Sequence, residues 1–352
     1  MITIDIKTPN SSSRIAINES ISNLPLYISS KRTVIITDSN VGKLYRSYFP
    51  SPDVIEIGTG ESIKTLQTVE TIYNKLVELG IDRSCFIVGF GGGIVCDITG
   101  FVASTYLRGL SFGFVSTTLL SQVDASIGGK NGVNFQGYKN LIGVFNQPAF
   151  VICDPSTLHT LPERELLGGF GEIVKHAAIG NTDMFEFLEK NIDHALALDK
   201  NIIEHLVYDS LIIKSGIVEK DEKETGERRK LNFGHTIGHA IEKNGHFLHG
   251  EAISIGMVFA AYLSVRRNLL SKEEAFRIYR LLYRLGLPVE IDLNIDKDKI
   301  KDALGKDKKR EGGYIHFVLL ESIGKARVVE ISIDELREVI DDDMHLFWKS
   351  GL

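Results

Sequence analysis

The sequence predicts an α/β, Rossmann-like half over residues 1–155 and a mostly α-helical half over residues 156–352. Three observations predict this. Short apolar runs alternate with helical periods through the first half, the signature of a parallel sheet with helices on both faces. The glycine run Gly91–Gly93 joins one apolar run directly to a helical period. Beyond Pro155 helical periodicity dominates. A chain of 352 residues can bury two cores of this kind.

In order, Arg32–Asp38 (RTVIITD) and Val54–Ile57 read as strands, and Glu61–Leu79 as a helix that Gly80 stops. Cys85–Phe90 (CFIVGF) is a third strand, running through Gly91–Gly93 into the helix IVCDITGFVAS. Phe112–Val115 and Phe150–Cys153 complete the strand set. The helical half comprises Glu163–Ile179, Thr182–Asn191, Lys200–Val218, Leu231–Lys243, Glu251–Arg267 and Lys272–Arg284. A late hairpin pairs Tyr314–Leu320 with Ala326–Ile331. A ligand site is expected in the cleft between the halves.

Bulk properties narrow the partners. With 43% hydrophobic and 24% charged residues the composition is that of a globular protein, and a net charge of −6 argues against nucleic acid or an anionic membrane. Cys85, Cys96 and Cys153 lack CxxC spacing and suit a reducing compartment. No charged-then-apolar leader and no apolar run of membrane-spanning length stands out, so a cytoplasmic location is expected.

Several stretches carry chemistry. Gly91–Gly93 at a strand-to-helix turn leaves backbone N–H groups to face a phosphate, although Ile94 breaks the GxGxxG pattern. Asp38, ending the first strong strand, is placed to accept from a ribose hydroxyl. Ser116–Asn140 is too polar for core, and Lys130, Lys139 and Asn140 offer donors to an anionic or polyhydroxylated ligand. It reads as a long functional loop without periodicity.

In LGGFGEIVKHA (Leu167–Ala177), Glu172, Lys175 and His176 share a helix face among small residues, with Glu172 a candidate metal ligand and Lys175 an anion donor. In RRKLNFGHTIGHAIEKNGHFLHGE (Arg228–Glu251), Asn232, His235 and His239 recur at spacings of three and four, which on one helix places them on one face. His249 follows fourteen residues after His235. Two imidazoles with a carboxylate from elsewhere make a three-ligand site with an open position, as in catalytic zinc centres. HTIGH lacks the glutamate of HExxH, because Thr236 stands in its place, so a peptidase has no base here.

The runs GGGIVCD (Gly91–Asp97), STTLLSQVDASIGGKNGVN (Ser116–Asn134), KNLIGVFNQP (Lys139–Pro148), LNFGHTIGHAIE (Leu231–Glu242) and HGEAISIGM (His249–Met257) together closely resemble the 3-dehydroquinate synthase family of sugar-phosphate cyclases. SQVDASIGGK resembles that branch more than the aminocyclitol or valiolone-forming branches. The resemblance implies an NAD-dependent, zinc- or cobalt-dependent lyase of the shikimate pathway. Such an enzyme converts 3-deoxy-D-arabino-heptulosonate 7-phosphate to 3-dehydroquinate and phosphate by transient oxidation, β-elimination, re-reduction, ring opening and aldol closure.

On this sequence it implies Glu172, His235 and His249 as metal ligands. It implies NAD contacts at Asp38, at Gly60, Glu61, Ser62, Ile63 and Lys64, at Gly93, Ile94, Val95, Cys96 and Asp97, at Thr117, Thr118, Lys130 and Lys139, and at Thr157, Leu158, His159 and Thr160. Asp124, Lys130, Asn140, Lys175, Lys214, Arg228, Asn232, His239 and either Lys308 or Lys309 resemble substrate-site residues. Arg108 in TYLRG resembles an arginine lent to a neighbouring subunit, implying a homodimer. Cys96 in place of a usual glycine and Asn146 in place of an aromatic depart from the pattern. Rival readings are another sugar-phosphate cyclase, a metal-dependent NAD polyol dehydrogenase and a non-catalytic nucleotide-binding protein.

Overall fold

The computed structural model describes residues 1–8, 11–244, 247–290, 296–305, 310–311, 313–342 and 344–349. The chain forms two compact units, Met1–Leu161 with Lys214–Glu222 and Pro162–Ile213 with Lys223–Leu352.

The first unit is built on a seven-stranded sheet. Its elements are β1 (Ile2–Thr8), β2 (Ser11–Ile17), β3 (Thr33–Asp38), α1 (Ser39–Tyr45), β4 (Val54–Ile57), α2 (Leu66–Glu78), β5 (Phe86–Gly91), α3 (Gly93–Thr105) and β6 (Ser111–Ser116). The hairpin β7 (Lys130–Phe135) and β8 (Tyr138–Phe145) follows, then β9 (Phe150–Cys153). The sheet order is β1-β2-β9-β6-β5-β3-β4. Every neighbouring pair is parallel except β1 with β2. Those two strands lie outside the sequence expectation, because SSSRIAI is too polar at its start to read as a buried run.

Side chains alternate across a strand, so Phe86, Val88 and Phe90 of β5 join Ile35, Val115, Phe150 and Ile152 in one apolar cluster. Phe86 stacks on Phe150 with ring centroids 5.7 Å apart. From β3 the chain steps outward to β4, then returns to the other side of β3 as β5 and continues to β6 and β9. The β3/β5 boundary is therefore the topological switch point, where open α/β sheets take ligands.

The second unit is mostly helical. It holds α4 (Glu163–Gly180), α5 (Thr182–Lys190), α6 (Ile192–Leu196) and the start of α7 (Lys200–Lys220). It continues with α8 (His235–Asn244), α9 (His249–Arg266), α10 (Lys272–Arg284) and α11 (Lys297–Gly305). A three-stranded antiparallel sheet follows, β10 (Arg310–Glu311), β11 (Tyr314–Ser322) and β12 (Lys325–Ser332), and then α12 (Ile333–Asp341) and α13 (Met344–Lys349). Helix α9 is buried almost all round, the pattern of a central helix. It meets its neighbours through glycine. A Cβ on Gly250 would collide with the Gly168 backbone of α4, and one on Gly256 with the backbone of Gly234 and Gly238. No described helix is long and apolar enough to cross a membrane.

Candidate active site

In the first unit the proposed nucleotide residues follow the carboxyl ends of parallel strands. Asp38 ends β3, Gly60–Lys64 follows β4, Gly93–Asp97 opens α3 after β5, Thr117 and Thr118 follow β6, and Thr157–Thr160 follow β9. Parallel strands bring these five segments, scattered in sequence, to one edge of the sheet. Asp38 and the glycine turn flank the switch point. Asp38 Oδ1 accepts from the backbone N–H groups of Asn40 and Val41, which caps α1 and fixes the carboxylate. A Cβ on Gly92 would stand 2.9 Å from the Thr118 methyl, so a side chain there would require Thr118 to shift. Cys96 is core: burial holds its thiol well above the usual range, and its N–H bonds Gly92 O at 3.0 Å. Asn146 donates to Ser104 Oγ at 2.9 Å.

The stretch Ser116–Asn140 is not the aperiodic loop expected from its composition. It contains a π-helical turn at Ser121–Ala125 and the strand pairing of β7 with β8. Gly132 and Gly143 face each other across that pairing, where the backbones approach too closely for side chains. Asp124 of the turn accepts from Lys214 Nζ at 2.7 Å.

The hairpin is tied to the segment that follows β4. Lys64, nearly fully buried, pairs with Asp97 and donates to Asn140 Oδ1 at 2.6 Å. Asn140 sits at φ +49, its N–H bonded to Asn134 Oδ1 at 2.8 Å, and Asn134 Nδ2 donates to Glu61 Oε1 at 2.6 Å. Burial raises the Asp97 carboxyl above its ordinary range, and the Lys64 charge opposes that rise. Lys130 and Lys139 are exposed on this hairpin. Arg108 is exposed as well, at φ +68 after Leu107 at φ +49, two consecutive left-handed residues.

In the second unit three donors converge. Glu172 lies in the middle of α4, fully buried, with Oε1 3.7 Å from His235 Nε2 and 3.5 Å from His249 Nε2. His235 opens α8 and His249 opens α9. One donor atom from each lies within 4.8 Å of the other two, so a single cation can reach all three. Two imidazoles and a carboxylate are a donor set suited to zinc or cobalt. Burial pulls the His249 imidazole down, but the Glu172 and Glu242 carboxylates outweigh it and push it up to about 9. Lys175, also buried, forms an ion pair with Glu172 one turn away. His239 is exposed, its ring 5.3 Å from that of His235 and 5.9 Å from that of His249.

These residues can be set beside known proteins. The chain matches the models for 3-dehydroquinate synthase N-terminal over residues 54–168 and 3-dehydroquinate synthase C-terminal over residues 169–310. It is 43% identical over 320 residues to 3-dehydroquinate synthase of Geobacter metallireducens, covering 87% of this chain and 88% of that one. The chain belongs to the 3-dehydroquinate synthase family.

Solved cyclases share this family's fold. A 2-deoxy-scyllo-inosose synthase complexed with carbaglucose-6-phosphate, NAD+ and Co2+ superposes with a TM-score of 0.88 at 29% identity, over 96% of this chain and 99% of that chain. The 2-epi-5-epi-valiolone synthase ValA of Streptomyces hygroscopicus, with NAD+ and Zn2+ bound, gives 0.85 at 26% identity, over 99% of both chains.

A second sequence expectation is corrected as well. Asn232 does not share a helix with His235 and His239: it ends a 3-10 turn, Glu227–Asn232, and Gly234 at the non-helical φ of +79 separates that turn from α8. There Asn232 Nδ2 donates to Glu224. Arg228, in the same turn, is buried. Lys308 and Lys309 lie outside the described residues. Two carboxylates were missed, Glu224 beside Asn232 and Glu242 beside His249. Glu242 had a signal: it follows His239 by three residues and so continues the histidine face of α8.

Proposed function

We propose that the chain is a 3-dehydroquinate synthase, a phosphate-eliminating lyase. It takes 3-deoxy-D-arabino-heptulosonate 7-phosphate to 3-dehydroquinate and phosphate, in the shikimate pathway that supplies aromatic amino acids. The observation that carries this reading is the convergence of Glu172, His235 and His249 from three helices on one cation-sized point. Its donor set fits the group, and relatives above 40% identity over most of the chain bear the same name.

When bound, a divalent ion supplies Lewis acidity to vicinal hydroxyls, and NAD supplies a hydride acceptor restored within each turnover. The chain's residues do the rest. Asp38, the Gly60–Lys64 turn, the first turn of α3, Thr117, Thr118, Lys130, Lys139 and Thr157–Thr160 hold the dinucleotide. Arg228, Lys175, Lys214, Lys130, Asn140, Asn232 and Asp124 hold and orient the carboxylate, hydroxyls and phosphate, where a guanidinium suits bidentate clamping. An imidazole nitrogen of His239 moves a proton, since this exposed ring stands beside two of the proposed ligands. Positioning one substrate through elimination, ring opening and aldol closure contributes much of the rate.

The working form is a cytoplasmic homodimer in which Arg108 reaches the partner's site. The exposed Phe135, Tyr138, Leu141 and Phe145 of the β7–β8 hairpin support a covering second copy.

The test supplies the purified chain with NAD, zinc or cobalt and the heptulosonate phosphate. Phosphate release matched by 3-dehydroquinate, without net accumulation of reduced nicotinamide, is the expected result. Net reduction of NAD by a simple polyol would instead identify a dehydrogenase. Turnover of sedoheptulose 7-phosphate to another carbocycle would identify a sister cyclase.

A further inference from the structure

His249 is held at both ring nitrogens. Its Nε2 faces Glu172 Oε1 at 3.5 Å, and its Nδ1 faces Glu242 Oε2, also at 3.5 Å. His235 shows the same two-sided arrangement with a different partner. Its Nε2 lies 3.7 Å from Glu172 Oε1, while Nδ1 lies 3.2 Å from the carbonyl oxygen of Phe233. A carbonyl only accepts, so the neutral His235 ring keeps its proton on Nδ1 and turns the Nε2 lone pair toward Glu172. At His249 a side-chain carboxylate occupies the place that a backbone carbonyl takes at His235.

We infer that Glu242 is a positioning residue that sets the orientation and tautomer of His249 for the divalent ion. This rests on the metal-site reading given above. Three observations carry it. The Glu242 side chain is only 7% exposed, so its carboxylate is kept from water and fixed in place. Its helical position, three residues after His239 and seven after His235, puts it on the ligand face of α8. His249 is the first residue of α9, so the Glu242 contact spans the junction between the helices that carry the two imidazoles. With the carboxylate removed, the His249 ring is free to turn about its own side-chain torsions and to place its proton on Nε2, where it blocks the lone pair. Carboxylates behind metal-bound imidazoles act in this way, fixing the ring and raising its basicity as a ligand.

The experiment uses full-length Glu242→Ala, Glu242→Gln and Glu172→Ala variants. Zinc affinity is measured by chelator competition, the cobalt-loaded forms by visible absorption, and NAD affinity separately. Glu242→Ala should weaken zinc about 10- to 100-fold. Glu242→Gln should weaken it less, because the amide oxygen still accepts from Nδ1–H. Both should leave NAD affinity unchanged and keep the intensity of the cobalt bands, which follows ligand number. Glu172→Ala should remove zinc from the site.

If both Glu242 variants bind zinc within about twofold of the parent while Glu172→Ala loses it, the inference fails and the metal site stands. If Glu172→Ala keeps its zinc, the metal reading fails and takes the inference with it. A cobalt spectrum showing a lost ligand in Glu242→Gln also overturns the inference, because Glu242 would then be a ligand itself; its oxygen lies within ligand reach of His239 and His249. Should Glu242→Ala fail to fold, the near-isosteric Glu242→Gln carries the test alone.

Discussion

Replacing Gly250 by alanine tests how the second unit builds its candidate metal site. A Cβ on Gly250 would stand 2.6 Å from the carbonyl carbon of Gly168, and closer still to that residue's Cα and oxygen, where ordinary contact begins near 3.4 Å. The obstruction is backbone, so no side chain can swing aside. Helices α4 and α9 must part by about 1 Å, an overpacking cost of about 1–3 kcal/mol. Gly250 adjoins His249, and Gly168 lies one turn before Glu172, so the same movement pulls apart donors now 3.5 Å from each other. Metal sites tolerate ligand errors of only about 0.2 Å, and zinc affinity should fall at least about tenfold. The reverse substitution makes the control. A Cβ on Gly168 meets Gly250 only at 3.8 Å. Gly168→Ala should therefore keep its zinc and gain up to about 1 kcal/mol from helix propensity. Chelator competition and urea unfolding on both variants would decide. Equal zinc affinities for Gly250→Ala and Gly168→Ala would refute the claim that glycine packing sets the ligand geometry.

Other outcomes follow from named contacts. His235→Ala should abolish both bound zinc and turnover, and metal retained at full stoichiometry would remove His235 as a ligand. Lys64→Met strands the Asp97 carboxylate and should cost about 2–3 kcal/mol at pH 7. Because burial raises the folded Asp97 pKa above its unfolded value, the penalty is absent below the unfolded value of 3.8 and grows as pH rises through the folded one. Urea unfolding should therefore show a larger loss at pH 7 than at pH 4, and a loss independent of pH would refute the pairing. Arg108→Ala should lower kcat/KM at least about tenfold with NAD affinity unchanged, as expected of an arginine that clamps an anion. Unaltered kinetics would end the shared-site proposal.

Much of the fold was legible because its signals are local. Apolar runs of strand length, helical periods ended by glycine, and the turn Gly91–Gly93 each report on a few neighbouring residues. Part of the candidate metal site was legible for a similar reason: His235 and His239 announce a shared helix face by spacing alone, although the donors that converge with His235 are Glu172 and His249 from other helices. Asn232 misled, because the period carries no record of Gly234 at φ +79, where the backbone leaves the helix. The hairpin of β7 and β8 was hidden because Lys, Asn and Gly interrupt its apolar residues, and β8 presents most of its residues to solvent and shows no buried alternation.

The sequence by itself therefore determined the kinds of donor present and the segments that carry them, since both depend on residue type and short-range spacing. Tertiary structure alone decided which donors meet. Glu172 reaches His235 and His249 because α4, α8 and α9 pack through Gly168, Gly250, Gly238 and Gly256, closely enough for one ion to touch three helices. Lys64, Asp97 and Asn140 join because parallel strands deliver their loops to one edge and the hairpin folds back onto them. No spacing rule encodes such distances, because they follow from how closely backbones approach once side chains are packed.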